Sequence, residues 1–273
     1  MFRIRTLSVV AALLALGAGA ALFLSPPEPA TAPNDLALSG SAPAAGHPLL
    51  ADRPAHGTPP AAPATVEEVT DELAAWRDLH APQGRLSMDA TRALIAERDA
   101  AAESLADAIG RLAAGDVGEA LAAWHDADAV RDRLVIIDGL GRNHSPEAIA
   151  ALEEVYDADA GYTSRSRVLR ALGDSPADGR EALLEDTMWD AADERLSQLA
   201  AQALYGESGA SQTLIDAVTG ALPINTRLEA IHSLGAIGSP DARAALSRFA
   251  GDPALEQRVR QYAQRELERS LGG

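Results

Sequence analysis

Between Arg227 and Phe249 the apolar positions follow a helical period twice, with a break between. Ala230, Ile231 and Leu234 fall at i, i+1 and i+4, one stripe at about 100° per residue. Gly235 and Gly238 are expected to release this helix. Ser239 should cap the next one, and Pro240 should occupy its first position, where a missing N–H costs nothing. Ala242, Ala245, Leu246 and Phe249 give the second helix its own stripe. A hairpin of two such helices cannot hide both apolar faces alone, so it requires similar hairpins beside it.

The chain supplies them. With the leucine before the turn as anchor, the frame recurs at Leu112, Leu140, Leu172, Leu204, Leu234 and Leu267, at spacings of 28 to 33 residues. Glycine follows the anchor at Gly141, Gly173 and Gly235, and one position later at Gly206. Twelve residues beyond the anchor stand Trp124, Leu152, Leu184 and Leu246; seven before it stand Arg133, Arg165, Arg227 and Arg260. Position −7 lies about 20° from the anchor direction. Those four arginines should therefore sit between hairpins and hydrogen-bond backbone or acids of the neighbour, because an unpaired charge there is costly.

An arginine, six residues, Leu-Gly, a Ser-Pro turn and then Ala-x-x-Ala-Leu resembles the short HEAT repeats of the phycobilisome-lyase type. The match is clearest over Arg133 to Leu152, Arg165 to Leu184 and Arg227 to Leu246, and covers roughly residues 100 to 271. Two features depart from the family: Tyr205 stands where glycine is usual, and no frame keeps the whole Asp-Pro turn before the arginine. The resemblance implies an all-α solenoid, a superhelix of about five hairpins whose first helices line a concave surface. Such repeats mostly serve as binding scaffolds.

Upstream, Thr65-Val66-Glu67-Glu68 reads as a capping box opening a helix to about His80, with Val66, Val69, Leu73 and Trp76 as its stripe. Ser87 should cap a further helical stretch towards Gly115, with an interruption near Asp99. Residues 65–100 are thus expected to form an N-terminal cap, or alternatively a dimer seam, and 101–273 the repeat array. Residues 25–64 are rich in Pro, Ala and Gly, and predict a disordered tether. Residues 1–24 carry Arg3 and Arg5 before an uncharged run from Leu7 to Leu24, roughly 27 Å as a helix. This predicts a single-pass inner-membrane anchor with the remainder in the periplasm. A signal peptide cut after Ala18 and Ala20 would export the same domain.

Hydrophobic residues make up 47% of the 273 but aromatics only 4%, so the core must be built from Ala, Leu, Ile and Val. No cysteine is present, and every basic residue is arginine. The net charge of −17 would repel a phosphate backbone, so nucleic acid is not an expected partner. Positions −2, −5 and −9 from each anchor point away from the core. From Leu140 onward they are Arg131, Val135, Asp138, Thr163, Arg167, Arg170, Arg195, Leu199, Gln202, Asn225, Glu229, His232, Arg258, Tyr262 and Arg265. Six arginines against two acids give this face +4 on an acidic domain. Its expected binding residues are Arg131, Arg167, Arg170, Arg195, Leu199, His232, Arg258, Tyr262 and Arg265. The expected ligand is another protein, offering an acidic peptide or its C-terminus. The competing reading pairs these arginines with acids on neighbouring helices.

The six histidines are scattered, no H-E-x-x-H or G-x-S-x-G occurs, and Gly206 to Gly209 reads as a turn with Ser208 as the next cap. His125, Asp126 and Asp128 read as an acidic turn. No cofactor, metal, small-molecule substrate or enzymatic activity is expected. Bilin attachment, which the lyase-type resemblance would imply, belongs to a different compartment from an exported chain. The expected function is a membrane-tethered bacterial envelope scaffold or adaptor, with a chaperone for exported proteins as the alternative.

Overall fold

A computed structural model describes residues 61–175, 179–190, 192–206 and 208–272. The expected anchor at 1–24 and most of the 25–64 linker lie outside them. Contacts divide the chain into residues 1–58 and a compact unit, 59–273, which is described here. It is all-helical: twelve α-helices and no strand among the described residues. These are α1 (Val66–Leu79), α2 (Met88–Gly110), α3 (Val117–His125), α4 (Val130–Arg142), α5 (Pro146–Ala158), α6 (Tyr162–Asp174), α7 (Glu181–Trp189), α8 (Glu194–Ala203), α9 (Ser211–Thr219), α10 (Ile224–Ile237), α11 (Pro240–Gly251) and α12 (Gln257–Gly272). No described helix is long and apolar enough to cross a membrane.

The even-numbered helices α2 to α12 pack in series, each on the next, and every odd-numbered helix packs on the even-numbered one that follows it. Asn225 reaches Glu194 across the first turns of α10 and α8 at 2.8 Å. Ser233 Oγ donates to Ala201 O at 2.8 Å near their ends, so these two helices run parallel. The anchors explain the series. Leu140, Leu172, Leu204 and Leu234 are fully buried, as are Leu152, Leu184 and Leu246 twelve residues on, all in one continuous apolar core.

Helix ends follow their local chemistry. Thr65, Ser87, Ser145 and Ser239 are N-caps whose hydroxyls accept from the backbone N–H three residues on, and Pro146 and Pro240 open their helices. Gly238 ends α10 at φ +57°. Gly235 does not release the helix as expected; it lies inside α10, where an added Cβ would meet Glu266 of α12 at 2.8 Å. Its sequence signal is a break, but its role is close approach.

Three further expectations are corrected. α2 runs unbroken past Asp99, so the cap boundary at residue 100 falls within one helix. Ala64, placed in the linker, is buried, and its N–H donates to Arg111 O at 3.0 Å. The N-cap position of α9 falls at Ala210 and not at 208, after 3-10 turns at Leu204–Gly206 and Ser208–Ala210. This is the frame with Tyr205 in place of glycine. Its even-numbered helix, α8, ends at Ala203, before the anchor leucine, and the Tyr205 ring is half-buried.

The −7 arginines meet the expectation of backbone pairing in three frames. Arg133 Nε donates to Ala127 O at 2.8 Å, Arg165 Nε to Tyr156 O and Asp159 O at 3.1 Å, and Arg227 Nε to Val218 O at 2.8 Å. Each fastens the end of an odd-numbered helix to the start of the next even-numbered one. In the Leu204 frame Ser197 does the same with a hydroxyl, donating to Met188 O at 2.7 Å. Arg260 Nε, by contrast, is buried without a hydrogen-bond partner.

Candidate functional site

The nine predicted binding residues come from α4, α6, α8, α10 and α12, and their exposure follows frame position. All five −9 residues, Arg131, Thr163, Arg195, Asn225 and Arg258, are exposed. The −5 positions are not: Val135 is buried, and Arg167, Leu199, Glu229 and Tyr262 are half-buried. Position −5 falls towards the seam between stacked even-numbered helices, so neighbours cover it. Leu199 and Tyr262 pack against the apolar core there.

That seam uses several of the predicted cations. Arg167 grips both carboxylate oxygens of Asp138 on α4 through Nε and Nη2, and this pairing raises its pKa further. Arg131 Nε lies 3.3 Å from Asp132. The Arg195 guanidinium stacks 4.1 Å above the Tyr162 ring of α6, with Asp193 at 3.5 Å. Arg265 covers Tyr262 at 5.0 Å. Arg142 similarly bonds Glu103 and Asp107, joining α4 to α2. A signal for the Arg167–Asp138 link existed in the sequence: opposite charges at −5 and −2 of consecutive frames. Arg170 and Arg258 differ from the rest. Both are exposed and make no hydrogen bond or ion pair with any described residue.

At the α10–α12 end the face changes character. Glu266 is 2% exposed; both its oxygens accept from Arg269 at 2.8 Å, and His232 Nδ1 lies 3.4 Å away. The hydrogen bond to Glu266 raises the His232 pKa above its ordinary 6.5, against the opposing effect of burial. Burial raises the Glu229 carboxyl, and it also raises the Tyr262 hydroxyl. Both His232 and Glu229 thus hold a proton more tightly folded than unfolded. The His232 contribution is complete below about pH 6.5 and is lost as the pH climbs through its raised value. The Glu229 penalty appears as the pH rises above about 4.5. The attachment of α12 should therefore weaken with rising pH. Amide exchange in α12, corrected for intrinsic rates, is expected to be faster at pH 8 than at pH 6, and His232→Gln should flatten the change above pH 6.5. Equal protection at both pH values would contradict this.

Asp132 had no signal in the sequence beyond its charge. It is 4% exposed and accepts from Trp76 Nε1 at 3.1 Å and Arg77 Nε at 3.1 Å, tying α1 to α4. A recess of about 250 Å³ lies nearby, lined by Val69, Leu73, Leu112 and Ala120 with Arg77, Glu119 and Asp126; none of the nine predicted residues lines it. Among the described residues no group of three His, Asp or Glu is placed to hold a metal ion. No protein-family model matches the chain, and comparison with curated proteins finds no significantly similar one.

Proposed function

We propose that this chain is a HEAT-like α-solenoid scaffold of the bacterial cell envelope. Its N-terminal apolar run tethers it to the inner membrane, and the helical unit lies in the periplasm. On this reading the outward face of the even-numbered helices binds an acidic segment of another protein. The observation that supports it most is the pair of exposed arginines, Arg170 and Arg258, without an ion pair or hydrogen bond among the described residues, on a domain with 37 acids against 20 arginines. Guanidinium groups kept in water by a strongly acidic body are available to carboxylates brought by a ligand. Arg195 and Arg265, laid on tyrosine rings, keep donors free in the same region. Arg131 and Arg167, already beside carboxylates, belong to the internal ties instead.

Binding of this kind depends on charge. Capture of the partner by the full chain should weaken steeply from low to high salt, whereas apolar capture by a chaperone should not. Arg170→Glu with Arg258→Glu removes no hydrogen bond or ion pair among the described residues, so helix content should stay unchanged while capture by crosslinking from envelope extracts falls at least tenfold, about 1.4 kcal/mol. Unchanged capture by the folded variant would reject the arginine face as the site.

A further inference from the structure

The first half of α2 stands clear of its neighbours. Arg98 Nε donates to Leu79 O at 3.0 Å and Ser104 Oγ to Glu72 at 3.0 Å, so α1 lies antiparallel to α2 and ends level with Arg98. Gly139 meets Ile109, and Gly110 meets Arg142, which sets α4 parallel to α2. That register places Val130, the first residue of α4, level with about residue 99 of α2. Met88 to Glu97 therefore project beyond both helices by nearly three turns, roughly 15 Å. A helix this short is marginal in water by itself. Met88 and Ile95, 72% and 53% exposed, continue the stripe of Ala102, Ala106 and Ile109 that is covered further along. Val130, 56% exposed, opens α4 where the projection begins.

We propose that two copies of the chain pair through this projection, α2 against α2 and antiparallel, about a two-fold axis near Ile95. The charges carry the argument. At about 100° per residue, Arg92 and Asp99 lie on the same flank of the Met88–Ile95 stripe. Antiparallel pairing brings like flanks together with sequence reversed, so Arg92 of each copy meets Asp99 of the other, twice about the axis. Parallel pairing would bring opposite flanks together, so Arg92 and Asp99 would not meet across the seam. Both residues are exposed, and the contact Arg92 makes is to Asp89 of its own helix, at 3.6 Å with both side chains largely in water. Arg98, on the other flank, is occupied by α1, which leaves the Arg92–Asp99 side open. Ile95 then packs on its symmetry mate. Three turns of helix give less contact than the roughly 1,200 Å² of a standard interface, so the pairing is reversible and sensitive to single charges.

The cysteine-free sequence allows a direct test on the full chain in its membrane. Under mild oxidation Ile95→Cys should form a disulfide-linked dimer in several-fold higher yield than Glu147→Cys, an exposed position on α5. Adding Arg92→Asp should lower that yield several-fold, and adding Asp99→Arg as well should restore it, with helix content constant by circular dichroism. A yield no higher than that of Glu147→Cys, a crosslink to a different protein in place of a second copy, or a charge swap that fails to restore the dimer would overturn the proposal.

Discussion

Replacing Gly141 by alanine is expected to lower stability by about 1–3 kcal/mol, although alanine is the better helix former by about 1 kcal/mol. The new Cβ would stand 2.6 Å from Ala171 Cβ, 3.0 Å from Ala171 Cα and 3.1 Å from its carbonyl oxygen. Backbone cannot swing aside as the end of a long side chain can, so α4 and α6 must separate. Gly173 meets Ala203 in the same way, at 2.9 Å, and Gly173→Ala should act in the same direction. Gly118, in α3, has nothing within 4 Å, so Gly118→Ala should raise stability by about 0.5–1 kcal/mol. Thermal or urea unfolding of the three variants decides the matter by sign. If Gly141→Ala were stabilising, the close packing of consecutive even-numbered helices would be wrong.

The second large effect is at Asp132. Its carboxylate is buried and receives hydrogen bonds from Trp76 and Arg77. Asp132→Ala leaves the Trp76 N–H without its acceptor, while Arg77, half in water, can turn outward. The expected loss is about 2–3 kcal/mol, a fall in midpoint of roughly 5–10 °C for a unit of this size. Asp132→Asn keeps an acceptor for Trp76 and should cost about 1 kcal/mol. Amide exchange should show the loss concentrated in α1, with α10 to α12 little changed. An even loss of protection along the chain would contradict the assignment of Asp132 as the tie between α1 and α4.

The parts legible in the sequence were those with a local or periodic cause. Thr65, Ser87 and Ser239 announce their caps by chemistry acting within three residues, and the anchor leucines by a spacing near thirty. The −7 arginines were readable because helical rotation fixes their direction. What escaped depends on a neighbour. Gly235 looks like a break until Glu266 is seen beside it, and Ser197 looks unrelated to the arginines until its hydroxyl is seen on the end of α7. Arg167 looked free for a ligand because Asp138 stands 29 residues away in sequence. The exposure of Met88 and Ile95 follows from where α1 ends and α4 begins, which no property of α2 reveals.

The central claim is that the arginine-bearing face of the even-numbered helices binds an acidic segment of a partner. Its most direct test is a photo-crosslinking residue placed in living cells at Gln202, exposed on α8 at position −2, and compared with one at Glu147 on α5. The account predicts one discrete crosslinked protein from position 202, little or none from 147, and loss of the product when Arg170→Glu and Arg258→Glu are added. The same product from both positions, or a product from 202 that survives the charge reversal, would contradict it.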